Sequence, residues 1–266
     1  MNLEAEYNNR AKVPEHQAII DRWERDAAAF RAAWTEAELG LAYGPTPRQV
    51  MDLFWPAAAH DAPLALFIHG GYWQGGDRAR HSHVAAGLLA HGVAVALPSY
   101  DLCPQVSLAQ LTAQVRAAAA FLARRHGRGM LATGHSAGGH LAAMLLATDW
   151  GAHNLPAATV AAALPVSGLF DLAPLRHTTV NTALGLDEAE ARRLSPMLLP
   201  RPAGARLHAV VGGDEGAEYK RQSSGIAAAW GGTWEAVAGR NHFTIVDTLA
   251  DPESPIVRTA IGLLSS

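Results

Sequence analysis

Cysteine is almost missing from this chain. Cys103 is the only one, which excludes an internal disulfide and any cysteine-cluster zinc site. Positive charge is not in excess either. Twenty-one Lys and Arg stand against 24 Asp and Glu, a net charge of -3 with histidines neutral, so there is no basic field to hold nucleic acid. No apolar run approaches the ~20 residues a membrane span needs. The opening "MNLEAEYNNRAKVPEHQ" is polar and lacks the apolar core of a secretion signal. The expectation is a cytoplasmic protein with a small-molecule substrate and neither a nucleic-acid nor a membrane partner. No repeat, low-complexity tract or linker divides the chain, so residues 1–266 are expected to form a single domain.

What is plentiful points to a packed core. Hydrophobic residues make up 49% and charged residues 17%, ordinary for a globular protein. Thirteen histidines are more than usual, and most read as surface or packing residues. In "PEHQAIIDRWERDAAAFRAAW" the apolar residues Ile19, Trp23, Ala27, Phe30 and Trp34 recur every three or four positions, which predicts a helix with one apolar stripe and Pro14 in its first turn. Residues 1–42 are read as an N-terminal helical segment. "RQVMDLFWP" alternates and reads as a strand.

From Ala62 a rhythm of strand and helix sets in. "PLALFIHGG" and "VAVALPSY" are short apolar runs, as expected of strands buried on both faces, and "GMLATGHS", "ATVAAALPVSG", "ARLHAVVGG" and "TWEAVAG" read as four further strands. Helical stretches separate most of them. The longest, "SLAQLTAQVRAAAAFLARRHG", has Ser107 as N-cap and Gly127 as terminator. This alternation predicts an α/β fold with a mostly parallel sheet covered on both faces. Residues 168–204, between the fourth and fifth of these strands, read as a cap-like insertion over one end of the sheet.

Chemistry in such sheets sits at the carboxyl ends of the strands. There "GHSAG", Gly134 to Gly138, matches G-x-S-x-G with a strand before it and a helix after it. A sharp strand-to-helix turn thrusts the Ser136 hydroxyl out of the sheet, and bulky neighbours two positions away would clash. A serine hydroxyl needs a base. His242 in "GRNHFTIVD" follows the last strand, which suits the chain order serine, acid, histidine. The acid should follow the fifth strand, where "VVGGDEGAEY" offers Asp214 and Glu215. Counting a G-x-x-acid loop from Gly212 selects Glu215, with Asp214 the alternative. Backbone donors for an oxyanion would come from Ala137, after the serine, and from Gly70 and Gly71 in "FIHGGYW". Together these features predict an α/β-hydrolase.

"HGGYWQ", "GHSAGGHLAAMLL", "VSGLFDLAPL" and "EYKRQS" resemble segments of the kynurenine formamidases (arylformamidases) and their bacterial esterase-like relatives, from about Tyr43 to the C-terminus. The resemblance implies Ser136 as nucleophile, His242 as base, and Gly70, Gly71 and Ala137 as oxyanion donors. Matching "EYKRQS" places the acid at Glu215, where the family usually carries aspartate. It implies no metal and no organic cofactor, and family analogy adds a homodimer. Tyr72, Trp73 and Tyr100, each just past a buried strand, are expected to form aromatic substrate-binding walls. His140 reads as structural and Cys103 as incidental. The expected activity is cleavage of an aryl formamide such as N-formylkynurenine through an acyl-enzyme. The alternatives are a carboxylesterase for small acyl esters and a catalytically silent hydrolase fold used for binding. A dinucleotide-binding oxidoreductase would need G-x-G-x-x-G after the first strand, which "HGGYWQGG" does not supply.

Overall fold

The computed structural model describes residues 2–57 and 59–265; Met1, Ala58 and Ser266 lie outside it. Its strands are β1 (Ala37–Ala42), β2 (Val50–Phe54), β3 (Leu64–Ile68), β4 (Ala94–Pro98), β5 (Met130–His135), β6 (Val160–Val166), β7 (Arg206–Gly212) and β8 (Thr233–Val237). They form one sheet in the order β1-β2-β4-β3-β5-β6-β7-β8. β3 to β8 run parallel, and β2 is antiparallel to both β1 and β4. Every residue of β3, β4 and β5 is buried, which explains why these strands read as unbroken apolar runs rather than as alternation. Leu64, Leu66 and Ile68 of β3 join the core on one face of the sheet, and Ala65 and Phe67 the core on the other.

Helices cover both faces. Helix Leu108–His126 starts with a reciprocal capping box between Ser107 and Gln110 and stops at left-handed Gly127, as its sequence implies. It packs with helix Ala137–Leu146, all ten of whose residues are buried. On the opposite face, helix His16–Ala33 buries Ile19, Trp23 and Ala27. Pro14 lies in a turn ahead of that helix rather than within its first turn. Arg22 and Trp23 bind the Asp247 carboxylate at 2.7 and 2.9 Å, which fastens the helix to the segment just after His242.

One stretch departs from the sequence reading. The N-terminal segment is not helical up to residue 42, because 37–42 form the edge strand β1. Its register shifts between Glu38 and Leu41, with Gly40 at φ 71°; this bulge breaks the two-residue period that would have marked a strand. The buried Asp52 carboxylate caps the Gly40 N–H at 2.8 Å and pairs with Arg78 at 2.9 Å. Ahead of the long helix, two short helices, Leu3–Tyr7 and Asn9–Lys12, are capped by the side chains of Asn2 and Asn8. Between β6 and β7, residues 168–204 carry only short helical turns, and their Thr179 and Val180 reach the rim of the main cavity.

Candidate active site

Ser136 stands between the end of β5 and the helix that begins at Ala137, with φ 57° and ψ -118°. A non-glycine residue in that region carries backbone strain, and the surroundings hold it there. Its N–H bonds to Val166 O at 2.8 Å. The flanking glycines are spatial necessities. A Cβ on Gly138 would lie 1.9 Å from Ile68 O, and one on Gly134 would lie 2.5 Å from Gly138 O.

The Ser136 hydroxyl lies 3.1 Å from His242 Nε2, and His242 Nδ1 lies 2.7 Å from Glu215 Oε2. The carboxylate can only accept, so Nδ1 carries the ring proton and Nε2 is free to accept from the serine. Glu215 Oε1 is held in turn by the Gly212 N–H at 2.7 Å and by the Ser167 hydroxyl. Ser167 is itself at φ 50°, so both groups that meet Glu215 sit where β6 and β7 end. Asp214 is exposed, and its main-chain N–H donates to Arg240 O at 3.0 Å. The structure thus brings Glu215, not Asp214, to the histidine. His242 is presented by an Asn241 side chain that accepts from both Phe243 N and Thr244 N at 2.9 Å.

The glycine loop lies against the serine. A Cβ on Gly70 would stand 3.1 Å from Ser136 Cβ, and Gly71 adopts φ 112°, where a Cβ would stand 2.5 Å from Gly75 O. Among the described residues, no protein acceptor faces the N–H of Gly70, Gly71 or Ala137. Ala137 opens a helix, whose first N–H groups are unpaired and favour negative charge.

These groups open onto a cavity of about 540 Å³. Ser136, His242, Gly70 and Gly71 line one side, and Tyr7, Asn9, Trp23, Tyr72, His135 and Phe243 are among the residues of the other walls.

Residues 51–196, more than half of the chain, match the BD-FAE family. The kynurenine formamidase of Salmo salar is 30% identical over 240 residues, spanning 85% of this chain and 81% of the salmon protein. The chain belongs to the kynurenine formamidase family of α/β-hydrolases. The Drosophila melanogaster kynurenine formamidase is 29% identical over 236 residues, covering 82% of this chain and 78% of its own. A crystal structure from Silicibacter sp. TM1040, described as that of a candidate thioesterase, superposes with a TM-score of 0.90 at 34% identity over the whole of both chains. Esterase B of Lactobacillus rhamnosus (HN001) shares the fold, with a TM-score of 0.71 at 20% identity over 97% of this chain and 96% of its own.

In this α/β-hydrolase the three aromatic residues expected to wall the site divide. Tyr72 lines the cavity, but its hydroxyl is committed to Tyr7 O at 2.6 Å and Tyr219 at 2.7 Å. Trp73 is fully buried and meets the His140 ring edge-on at 5.1 Å, away from the cavity. Tyr100 is likewise buried, stacked on His69 at 4.3 Å with its hydroxyl donated to His69 O. Position next to the glycine loop does not predict direction. Trp73 at φ 58° turns its side chain into the core, where a large ring gains more from burial.

Sequence reasoning missed other residues that line the cavity. Tyr7 and Asn9 come from the short N-terminal helices, Trp23 from the helix after them, and Phe243 from beside His242. A polar start with two asparagine caps offers no apolar period to read. Trp23 belongs to the apolar stripe of its helix, and only the docking of that helix shows that its edge reaches the cavity. His135, the second residue of the G-x-S-x-G stretch, also lines the cavity, and burial together with the neighbouring His242 depresses its pKa well below the usual range.

Proposed function

We propose that this hydrolase cleaves an aryl formamide of the N-formylkynurenine type through an acyl-enzyme on Ser136. The observation that carries the reading is the unbroken chain from Ser136 Oγ through His242 to Glu215, at 3.1 and 2.7 Å, at the floor of an aromatic-walled cavity. His242 Nε2 takes the hydroxyl proton as Ser136 Oγ attacks the formyl carbon, and Glu215 stabilises the imidazolium. The N–H groups of Gly70, Gly71 and Ala137 hold the oxyanion. Collapse expels the aryl amine, which takes the proton from His242 and leaves a formyl ester on Ser136. Water, deprotonated by the same histidine, releases formate and restores the serine. His242 handles every proton transfer, so the scheme calls for no metal or organic cofactor.

The substrate class is supported by the names of the salmon and fruit-fly relatives and by the rings of Trp23, Phe243, Tyr7 and Tyr72 around the cavity. Residues 168–204 serve as a partial cap, entering through Thr179 and Val180. Small acyl esters are a second reading. It is favoured by the inward turn of Trp73 and Tyr100, which removes two of the three aromatic walls expected for an aryl group. The deciding experiment is kcat/KM for N-formylkynurenine beside p-nitrophenyl acetate, on the wild type and on Ser136→Ala. The formamide should be preferred, and both activities should fall by roughly 10³-fold or more in the variant. Ester turnover with negligible deformylation would move the enzyme to the second reading, and full activity in Ser136→Ala would overturn both.

A further inference from the structure

The N-terminal segment reaches the active site through a chain of polar groups whose direction can be worked out. A carbonyl oxygen only accepts, so the Tyr72 hydroxyl, 2.6 Å from Tyr7 O, spends its single proton there. Tyr72 must then accept from the Tyr219 hydroxyl, 2.7 Å away. Tyr219, with its own proton spent, accepts from Asn9 Nδ2 at 2.7 Å. Burial, reinforced by Tyr72, raises the Tyr219 pKa well above the usual range, so the hydroxyl keeps the proton this chain requires.

The Asn9 amide is thereby locked one way round, with its NH2 toward Tyr219 and Oδ1 on the other side. Asn9 is 6% exposed and lines the cavity that holds Ser136 and His242. Among the described residues no donor meets its Oδ1, and that oxygen is not among the sealed, unpartnered atoms. It therefore keeps some exposure, on a residue that lines the cavity. Nearly all buried polar groups are paired; an acceptor fixed in orientation and left open is a built hydrogen-bonding position. Its place is defined by Tyr219, whose ring packs 4.7 Å from the His242 imidazole. Asn9 is thus one hydrogen bond from the ring that packs on His242, in the wall of the same cavity.

We propose that Asn9 Oδ1 is a specificity-determining acceptor for an N–H donor on the departing half of the substrate, so that the site favours formamides and aryl amines over esters and N-alkylated analogues. Which half departs rests on the serine-hydrolase reading above; the acceptor itself does not. An ester has no N–H to offer, and a fully alkylated nitrogen leaves the buried oxygen unpaired as well as losing the bond.

The test separates binding from turnover. Calorimetry measures the Kd of 2-aminoacetophenone and of its N,N-dimethyl analogue on the wild type, Asn9→Leu and Asn9→Gln. The wild type should prefer the N–H ligand by roughly tenfold. Asn9→Leu should abolish the preference, and Asn9→Gln, which keeps both an amide donor for Tyr219 and an acceptor oxygen, should retain part of it. In parallel, kcat/KM for formanilide and phenyl formate should fall selectively for formanilide in Asn9→Leu. Equal affinities in the wild type, or a preference that survives in Asn9→Leu, would overturn the proposal even if formanilide is hydrolysed. If the binding preference follows Asn9 while neither substrate is turned over, the acceptor stands and the reaction assigned to the site falls.

Discussion

His135 donates its Nε2–H to the main-chain carbonyl of His242 across 2.7 Å, and the two rings stand 4.7 Å apart. The residue before Ser136 therefore holds the loop that carries His242. The bond joins β5 to a segment 107 positions later in the chain. It is made by a neutral imidazole, since burial and the neighbouring His242 disfavour the charged form.

His135→Phe keeps a ring of similar size and removes that donor. The expected result is a fall in kcat of roughly ten- to hundredfold with little change in KM for a short ester, because base geometry rather than binding is disturbed. His135→Gln, which retains an N–H, should recover part of the loss. Equal kcat in all three proteins would show that the His242 loop needs no such tether.

The acid can be tested against its neighbour in sequence. Glu215→Gln offers His242 one acceptor oxygen in place of a carboxylate and should lower kcat by roughly 10²- to 10⁴-fold. Asp214→Asn changes an exposed side chain and should leave kcat within about threefold. Steady-state kinetics on p-nitrophenyl acetate decides; the reverse pattern would assign the acid to Asp214.

The two glycines Gly138 and Gly262 should respond to alanine with opposite sign. At Gly138 a Cβ would lie 1.9 Å from the Ile68 carbonyl oxygen, so the helix must move off β3; a loss of about 3 kcal/mol or more is expected. At Gly262, exposed in helix Pro255–Ser265, a Cβ meets nothing within 4 Å among the described residues, and alanine should stabilise by about 0.5–1 kcal/mol. Urea unfolding of the two variants measures both.

Stability should fall on mild acidification. Burial pushes His69 down to about 4, His81 to about 3 and His140 to about 4. Once unfolded, each titrates near its ordinary value of about 6.5. Below that pH the unfolded chain binds protons that the folded chain refuses, so the unfolding free energy rises with pH across this window. The stabilisation is complete above about pH 6.5 and is lost as pH falls toward about 4, with a slope of at most ~1.4 kcal/mol per pH unit per histidine. Urea titrations at pH 7.5, 6.0 and 5.0 should show midpoints falling in that order; a flat profile would mean that these rings are charged or solvated in the native state.

The alternation of apolar runs and helices, the serine between two glycines and the late histidine are all local or sequential patterns. The sequence by itself therefore determined the layered sheet and the candidates Ser136 and His242, because strand burial and the steric demands of a tight turn are written in neighbouring residues. Counting from Gly212 favoured Glu215, but Asp214 stayed open until the turn showed which carboxylate faces inward; the Ser167 and Gly212 groups that hold Glu215 meet only when β6 and β7 lie side by side. β1 was hidden by its bulge, and the inward turn of Trp73 and Tyr100 by the fact that side-chain direction after a strand depends on backbone angles no motif records. The walls contributed by Tyr7, Asn9 and Trp23 were decided by tertiary structure alone. They come from residues more than a hundred positions before Ser136, and only long-range packing, in which a short polar segment docks through Tyr7, Asn9 and Tyr219, sets them beside the serine.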